Sequence, residues 1–291
     1  MQKFSYPENL YPFQSKWATI NGNRIHYIDE GKGETILFCH PPVTSSFMYR
    51  NMIKELSKNF RCIALDFPGF GLAEIALASG YTQSINSQAE VVEGFADALR
   101  LQSVYLLMQE CGGHAALKVF MGQPEKLRGI IVTDTIIFPV SAYPRIKIML
   151  ALINGGIFNF INTNFNFLIR AMTKFGINNR KLSVEERNTY KAIFNTKEIR
   201  RTSTHLLHQL MAEEKLLSQI QTAFETIFNK IPALLIYGEK DALNKLGIAK
   251  RINDLLPNSE LHLLENEGHF PHEGEPEKMS ELIKSWFNRR Q

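Results

Sequence analysis

The chain has 291 residues, 44% of them apolar and 21% charged, with a formal net charge of +4. This composition excludes a disordered or collagen-like chain and leaves room for one large domain, with or without an insert. No Lys/Arg block stands out, so nucleic acid is not an expected partner. Three scattered cysteines (Cys39, Cys62 and Cys111) give neither a disulfide framework nor zinc spacing. The opening residues, MQKFSYPENLYPFQS, lack the apolar core of a signal peptide, and no apolar run reaches the roughly 20 residues of a membrane span. A cytoplasmic protein without a membrane span is expected.

Segments 16–20 and 24–29 flank Asn21-Gly22-Asn23, a hairpin signal. TILFC (35–39) is a continuous apolar run, as a strand buried on both faces requires. Apolar residues at helical spacing over 46–59 predict a helix, and FRCIAL (60–65) predicts the next buried strand. An amphipathic helix follows at 84–101, then a strand at 104–108, a helix at 113–121 and a strand at 127–132. Cys39 and Cys62 fall in the apolar runs and read as buried small hydrophobes. Strands alternating with helices at this spacing imply βαβ units and a parallel sheet.

The strand pattern lapses from about 136 to 228, where Phe, Ile, Leu and Asn recur with helical periodicity. PALLIY (232–237) restores it. Then come a helix at 245–256, a short strand at 261–264 and a closing helix at 276–289. The expected organisation is a core over 1–137, a helical cap over 138–228, and the rest of the core over 229–291. Phe158, Phe160, Phe165 and Phe167 are expected to pack inside the cap.

The stretch VYLLMQECGGHAAL (104–117) runs strand, polar turn, paired glycines and helix, the layout of a nucleophile elbow. The nucleophile position, two residues before the first required glycine, holds Glu110. Asp241 follows the 232–237 strand, and His269 follows the last short strand. Loops at the carboxyl ends of parallel strands converge on ligands, so the three side chains should meet. Nucleophile, acid and His occur in the chain order of an α/β-hydrolase triad. Asp134 and Glu239 are weaker candidates for the acid, and Cys111 is a nucleophile only if the elbow is read one residue out of register. His40 is expected to be a structural hydrogen-bonding residue and His272 a surface residue.

The motifs RIHYIDEG (24–31), HPPVTSSFMYR (40–50), FRCIALDFPGFGLAE (60–74), LMQECGG (107–113) and DTIIFP (134–139) together resemble the haloalkane dehalogenases of the α/β-hydrolase superfamily, and more loosely the epoxide hydrolases. The resemblance spans nearly the whole chain. It implies a mostly parallel sheet flanked by helices, a helical cap, a carboxylate nucleophile, a His base and an orienting acid. On it, Glu110, His269 and Asp241 take those roles, while Pro42 and Cys111 line the site at the oxyanion and halide positions. Three departures accompany it. Glu110 stands where the family has Asp, Cys111 where it has a halide-gripping Trp, and Pro42 where it has Asn. Pro42 also lacks the backbone N–H of an oxyanion donor. The implied reaction is hydrolysis of a small apolar substrate with no metal or organic cofactor. Two other readings stay open: non-hydrolytic proton transfer of lyase or isomerase type, and a pseudoenzyme that binds an apolar ligand without turnover. Oligomeric state is not legible.

Overall fold

A computed structural model describes residues 4–290. The strands are β1 (Lys16–Ile20), β2 (Asn23–Glu30), β3 (Thr35–Cys39), β4 (Arg61–Leu65), β5 (Val104–Met108), β6 (Leu127–Thr133), β7 (Ala233–Gly238) and β8 (Ser259–Leu264). They form one eight-stranded sheet in the order β1-β2-β4-β3-β5-β6-β7-β8. β1 and β2 pair antiparallel, β2 is antiparallel to β4, and every other pairing is parallel. The first hairpin turns on Asn21 (φ 49°) and Gly22 (φ 79°). Positive φ at both central residues gives the twist that a two-residue hairpin needs, and Asn-Gly tolerates it.

The α-helices follow as α1 (Arg50–Leu56), α2 (Ile85–Ala98), α3 (Glu110–Gly122), α4 (Pro144–Asn154), α5 (Gly156–Phe165), α6 (Phe167–Phe175), α7 (Val184–Ile193), α8 (Lys197–Ala212), α9 (Glu214–Thr226), α10 (Ala242–Lys245), α11 (Ile248–Leu255), α12 (Pro271–Gly274) and α13 (Pro276–Asn288). β3 and β7 are buried along their whole length, so both faces of the sheet are covered. α2, α3 and α9 pack side by side, and α1 packs on α13. Ser84 caps α2 by accepting from the Ser87 N–H, which fixes that helix start. The helix expected over 46–59 is a short 3₁₀ turn followed by α1.

α4 and α5 both pack on α8, which also touches α3. α9 lies within the stretch expected as cap, yet it returns to the core layer against α3. A buried ionic cluster fastens the helical segment to the sheet. Arg50 of α1 bonds Glu273 of α12 and Glu186 of α7, and Arg180 reaches the same two carboxylates. The Tyr190 hydroxyl also donates to Glu273. Buried charges persist only when paired in this way.

The phenylalanines of the helical segment depart from expectation. Phe160, Phe165 and Phe167 face solvent, and Phe158 is half-buried with its edge against Phe167. The reason is local: α5 buries Asn162 and Thr163 instead. Asn162 Nδ2 donates to the Arg200 carbonyl at 3.0 Å, so the inward face of this helix is polar. Among the described residues no single helix is long and apolar enough to cross a membrane. α4 and α5 together pass by length and composition but are bent by 58° at their junction.

Candidate active site

The sheet brings three loop-borne side chains together. β5 ends at Met108, and the chain turns sharply into α3 through Glu110, whose φ is +47°. A non-glycine residue in the left-handed region stores strain and marks a positioned side chain. The turn is possible because Gly112 passes tightly against β3: a Cβ there would lie 2.1 Å from the His40 carbonyl oxygen. Met108, where an elbow usually has glycine, is seated against Gly113, whose added Cβ would meet Met108 Cβ at 2.6 Å. The Glu110 N–H donates to Thr135 Oγ1 at 3.0 Å. The helix therefore begins one turn earlier than the 113–121 pattern suggests, with an acidic residue at its positive end.

His269 lies between two carboxylates. Its Nδ1 is 2.6 Å from Asp241 Oδ2, and its Nε2 is 3.0 Å from Glu110 Oε1. Asp241 is held by N–H donors at its other oxygen, from Leu243 at 2.7 Å and Asn244 at 3.3 Å. Burial disfavours the His269 cation, but Asp241 and then Glu110 more than offset this, and its pKa lies well above the ordinary histidine value. Burial likewise acts to raise Asp241, and the His269 charge and hydrogen bond outweigh it, so that carboxylate lies below its usual range. The two shifts agree: His269 and Asp241 form an imidazolium–carboxylate pair.

Further contacts fix the histidine loop, and sequence reading missed them. Gln109 Nε2 donates to the His269 carbonyl at 2.8 Å. Glu267 accepts from the backbone N–H groups of Asn178 (2.8 Å), Gly268 (2.7 Å) and Asn179 (3.2 Å). The Phe270 N–H donates to the Gly176 carbonyl at 3.0 Å. The loop carrying His269 is thus tied to the end of α6. The polar residue types of Gln109 and Glu267 were visible, but no periodicity pairs positions this distant in the chain.

His272 is fully buried, contrary to the expectation of a surface residue. Its Nε2 is 3.1 Å from Thr133 Oγ1, and its ring packs edge-on to Tyr49. Burial, assisted by the nearby His269 charge, lowers its pKa to about 3, so it stays neutral. His40 is also buried. It accepts from the Phe67 N–H at Nε2 and bonds the Pro41 carbonyl through Nδ1, as a structural histidine should. Asp134 directly follows β6 within reach of the pair: one atom each of Asp134, Asp241 and His269 lie within 4.8 Å of one another. Asp134 Oδ1 accepts from the Gly238 N–H at 2.9 Å and Oδ2 has no partner. Burial and then the Asp241 charge hold Asp134 well above the usual carboxylate range, so it is a neutral acid. Glu239 accepts from the Asn266 N–H at Oε2, which ties together the loops after β7 and β8.

A cavity of about 380 Å³ opens over this group. Glu110, His114, Asp241 and His269 face it from the core. Its opposite walls come from α4, α6 and α8, with Leu150, Met172 and Leu207 among them. Pro42 and Cys111, expected to line the site, do not border this cavity, and Val43 stands at the wall instead. The Cys111 thiol turns away to donate to the Leu206 carbonyl at 3.5 Å, and burial raises its pKa well above normal, so it is a protonated thiol. Sequence reading also missed His114, one helical turn after Glu110. Its Nε2 bonds the Ile136 carbonyl at 2.5 Å, and its buried Nδ1 has no partner. Burial lowers its pKa, so Nδ1 is a neutral acceptor.

A strained turn between strand and helix, followed by an acid after β7 and a histidine after β8, defines an α/β hydrolase. The alpha/beta hydrolase fold family matches residues 34–276, and the chain belongs to it. More narrowly, it is a haloalkane dehalogenase-like α/β hydrolase. It is 31% identical to haloalkane dehalogenase 2 of Mycobacterium tuberculosis over 285 residues, covering 98% of each chain. It is 23% identical over 287 residues to a cis-3-alkyl-4-alkyloxetan-2-one decarboxylase of Shewanella oneidensis, covering 96% of this chain and 90% of that one. In fold it is similar to a loop variant of a haloalkane dehalogenase from Bradyrhizobium elkanii, with a TM-score of 0.82 at 22% identity over 95% of this chain and 96% of that one.

Proposed function

We propose that the protein hydrolyses a small apolar substrate through an alkyl ester on Glu110, with His269 as base, Asp241 as its orienting partner and helices α4–α8 as a cap over the pocket. The observation that carries this reading is the continuous Glu110–His269–Asp241 chain of hydrogen bonds on the floor of an apolar cavity. One Glu110 oxygen attacks the substrate carbon. A C–O bond forms, and the leaving group departs with the electron pair of the broken bond. His269 then takes a proton from water, and the resulting hydroxide adds to the carboxyl carbon of Glu110. Collapse expels the alcohol, which regains a proton from His269, and the Glu110 carboxyl, now carrying one oxygen from water, releases its remaining proton to solvent and returns as the carboxylate.

Charge supports this sequence. In the resting site two carboxylates favour the imidazolium. Esterification neutralises Glu110, so the histidine loses one of its two anionic neighbours. Its pKa falls at the moment a neutral base is needed. Cys111 and Pro42 hold the positions where the resemblance to dehalogenases implies Trp and Asn donors, and neither borders the cavity. The neutral acceptor His114 Nδ1 is one polar handle, and it suits a substrate carrying a hydrogen-bond donor beside the reacting carbon. Asn178 and Lys240 are further polar side chains in the lining, beside the otherwise apolar wall of α4, α6 and α8.

The test is trapping. His269→Phe blocks water activation, so a panel of short bromoalkanes, with and without a hydroxyl group, should leave an alkyl adduct on the Glu110 peptide in mass spectrometry. The wild-type protein should release halide and, in ¹⁸O-water, incorporate label into Glu110 over repeated turnovers. Absence of both adduct and halide across the panel refutes the ester mechanism.

A further inference from the structure

Among the described residues, nine of the twelve exposed large hydrophobic side chains belong to α4, α5 and α6. Ile148 and Leu152 lie one turn apart on α4, Ile157 and Phe160 on α5, and Phe167 and Phe175 two turns apart on α6. Exposure is extreme for several of them, 81% for Ile157 and 70% for Phe175. α5 is turned inside out: it buries Asn162 and Thr163 while Ile157, Phe160, Ile161 and Phe165 face outward. A soluble surface seldom carries so large a contiguous apolar patch without a partner.

Charge identifies the partner. Between Asp134 and Glu185 the chain contains no Asp or Glu, but six cations. Arg180 is taken up in the buried ionic cluster. Arg145, Lys147, Arg170, Lys174 and Lys181 form no ion pair among the described residues, and all are exposed. A second copy docked on this face by two-fold symmetry would set cations against cations. An anionic bilayer meets both demands: acyl chains for the apolar side chains and headgroup phosphates for the cations. The geometry fits lying on a membrane rather than crossing it. α4 and α5 have 11 and 10 residues, each about 16 Å long, and the 58° bend between them is held by packing on α8. The cavity also opens on this face, because Met149 and Phe175 are both exposed and part of its wall.

We propose that the outer face of α4–α6 docks on an anionic lipid bilayer, with the mouth of the cavity turned toward the lipid. The inference goes beyond the hydrolytic reading and holds whether or not Glu110 forms an ester.

The full chain should be pelleted with vesicles of phosphatidylcholine mixed with phosphatidylglycerol, and bind about tenfold more weakly to phosphatidylcholine alone. Ile157→Gln with Phe160→Gln should abolish pelleting, and Lys147→Glu with Lys174→Glu should weaken it several-fold. All four positions are solvent-exposed, so unchanged thermal melting is the expected check on folding. Phe160→Trp should blue-shift its emission when anionic vesicles are added. No pelleting with either lipid overturns the proposal, as does undiminished pelleting of the glutamine pair. If the wild-type chain sediments as a dimer that the glutamine pair converts to monomer, and does not pellet with vesicles, the face belongs to a second copy and the proposal fails.

Discussion

Glu110→Gln tests the charge argument directly. The substitution keeps the side-chain length and removes one of the two anions beside His269. Glu110 Oε1 and His269 Nε2 are 3.0 Å apart. At that separation unit charges interact by about 1.4 kcal/mol at a dielectric constant of about 80, and by about 5.5 kcal/mol at about 20. The side chains are 26% and 16% exposed, so solvent screening places the interaction toward the lower figure, and the His269 pKa should fall. The assay is an NMR titration of the histidine rings, in which the buried neutral His40, His114 and His272 should stay silent near neutral pH. The sign also predicts stability. A raised His269 pKa stabilises the fold fully below the ordinary histidine value of about 6.5, and that stabilisation fades as pH rises through the folded-state value. Glu110→Gln should therefore lower the melting temperature more near pH 6 than in strongly alkaline buffer. A His269 midpoint that stays in place or moves upward refutes the reasoning.

Arg50→Met should destabilise the chain by about 3–5 kcal/mol in urea denaturation, because it leaves Glu186 and Glu273 buried with fewer positive partners. Adding Glu273→Leu to that variant should recover part of the loss. Asp134→Asn keeps the acceptor for the Gly238 N–H and removes a carboxyl that must stay neutral when folded. Because that pKa is raised, wild-type stability falls as pH climbs above about 4, so the Asn variant should gain relative stability of about 1–3 kcal/mol between pH 4 and pH 8 in thermal melts. Gly112→Ala should cost about 3 kcal/mol or prevent folding, since its Cβ would strike the His40 carbonyl, whereas Gly122→Ala, with open space around it, should be nearly neutral by the same melting assay.

The sheet was legible because its strands are short apolar runs separated by turn signals, and periodicity reports burial. The elbow was legible because a strained turn restricts which residues can follow it. Glu110, Asp241 and His269 fell to the same logic, each sitting at the carboxyl end of a strand. Pairings between distant positions were not legible. Nothing local links Gln109 to the His269 carbonyl, Arg50 to Glu186 and Glu273, or Glu267 to Asn178. The phenylalanines of α5 and α6 misled for a related reason. Apolar periodicity reports that a helix has an apolar face, and not which way that face turns. His272 was misplaced because a histidine close to His269 gives no sign of whether its ring points out to water or inward to Thr133.

The Glu267 tether joins two parts of the molecule that a residue-by-residue view keeps apart. Glu267 holds the backbone just after α6 and the backbone just before His269 with the same carboxylate, while Phe270 hangs from the Gly176 carbonyl. α6 supplies part of the cavity wall, so that wall and the His269 loop share one anchor. A substitution on α6 that changes the shape of the pocket therefore acts beside a segment to which the His269 loop is also tied.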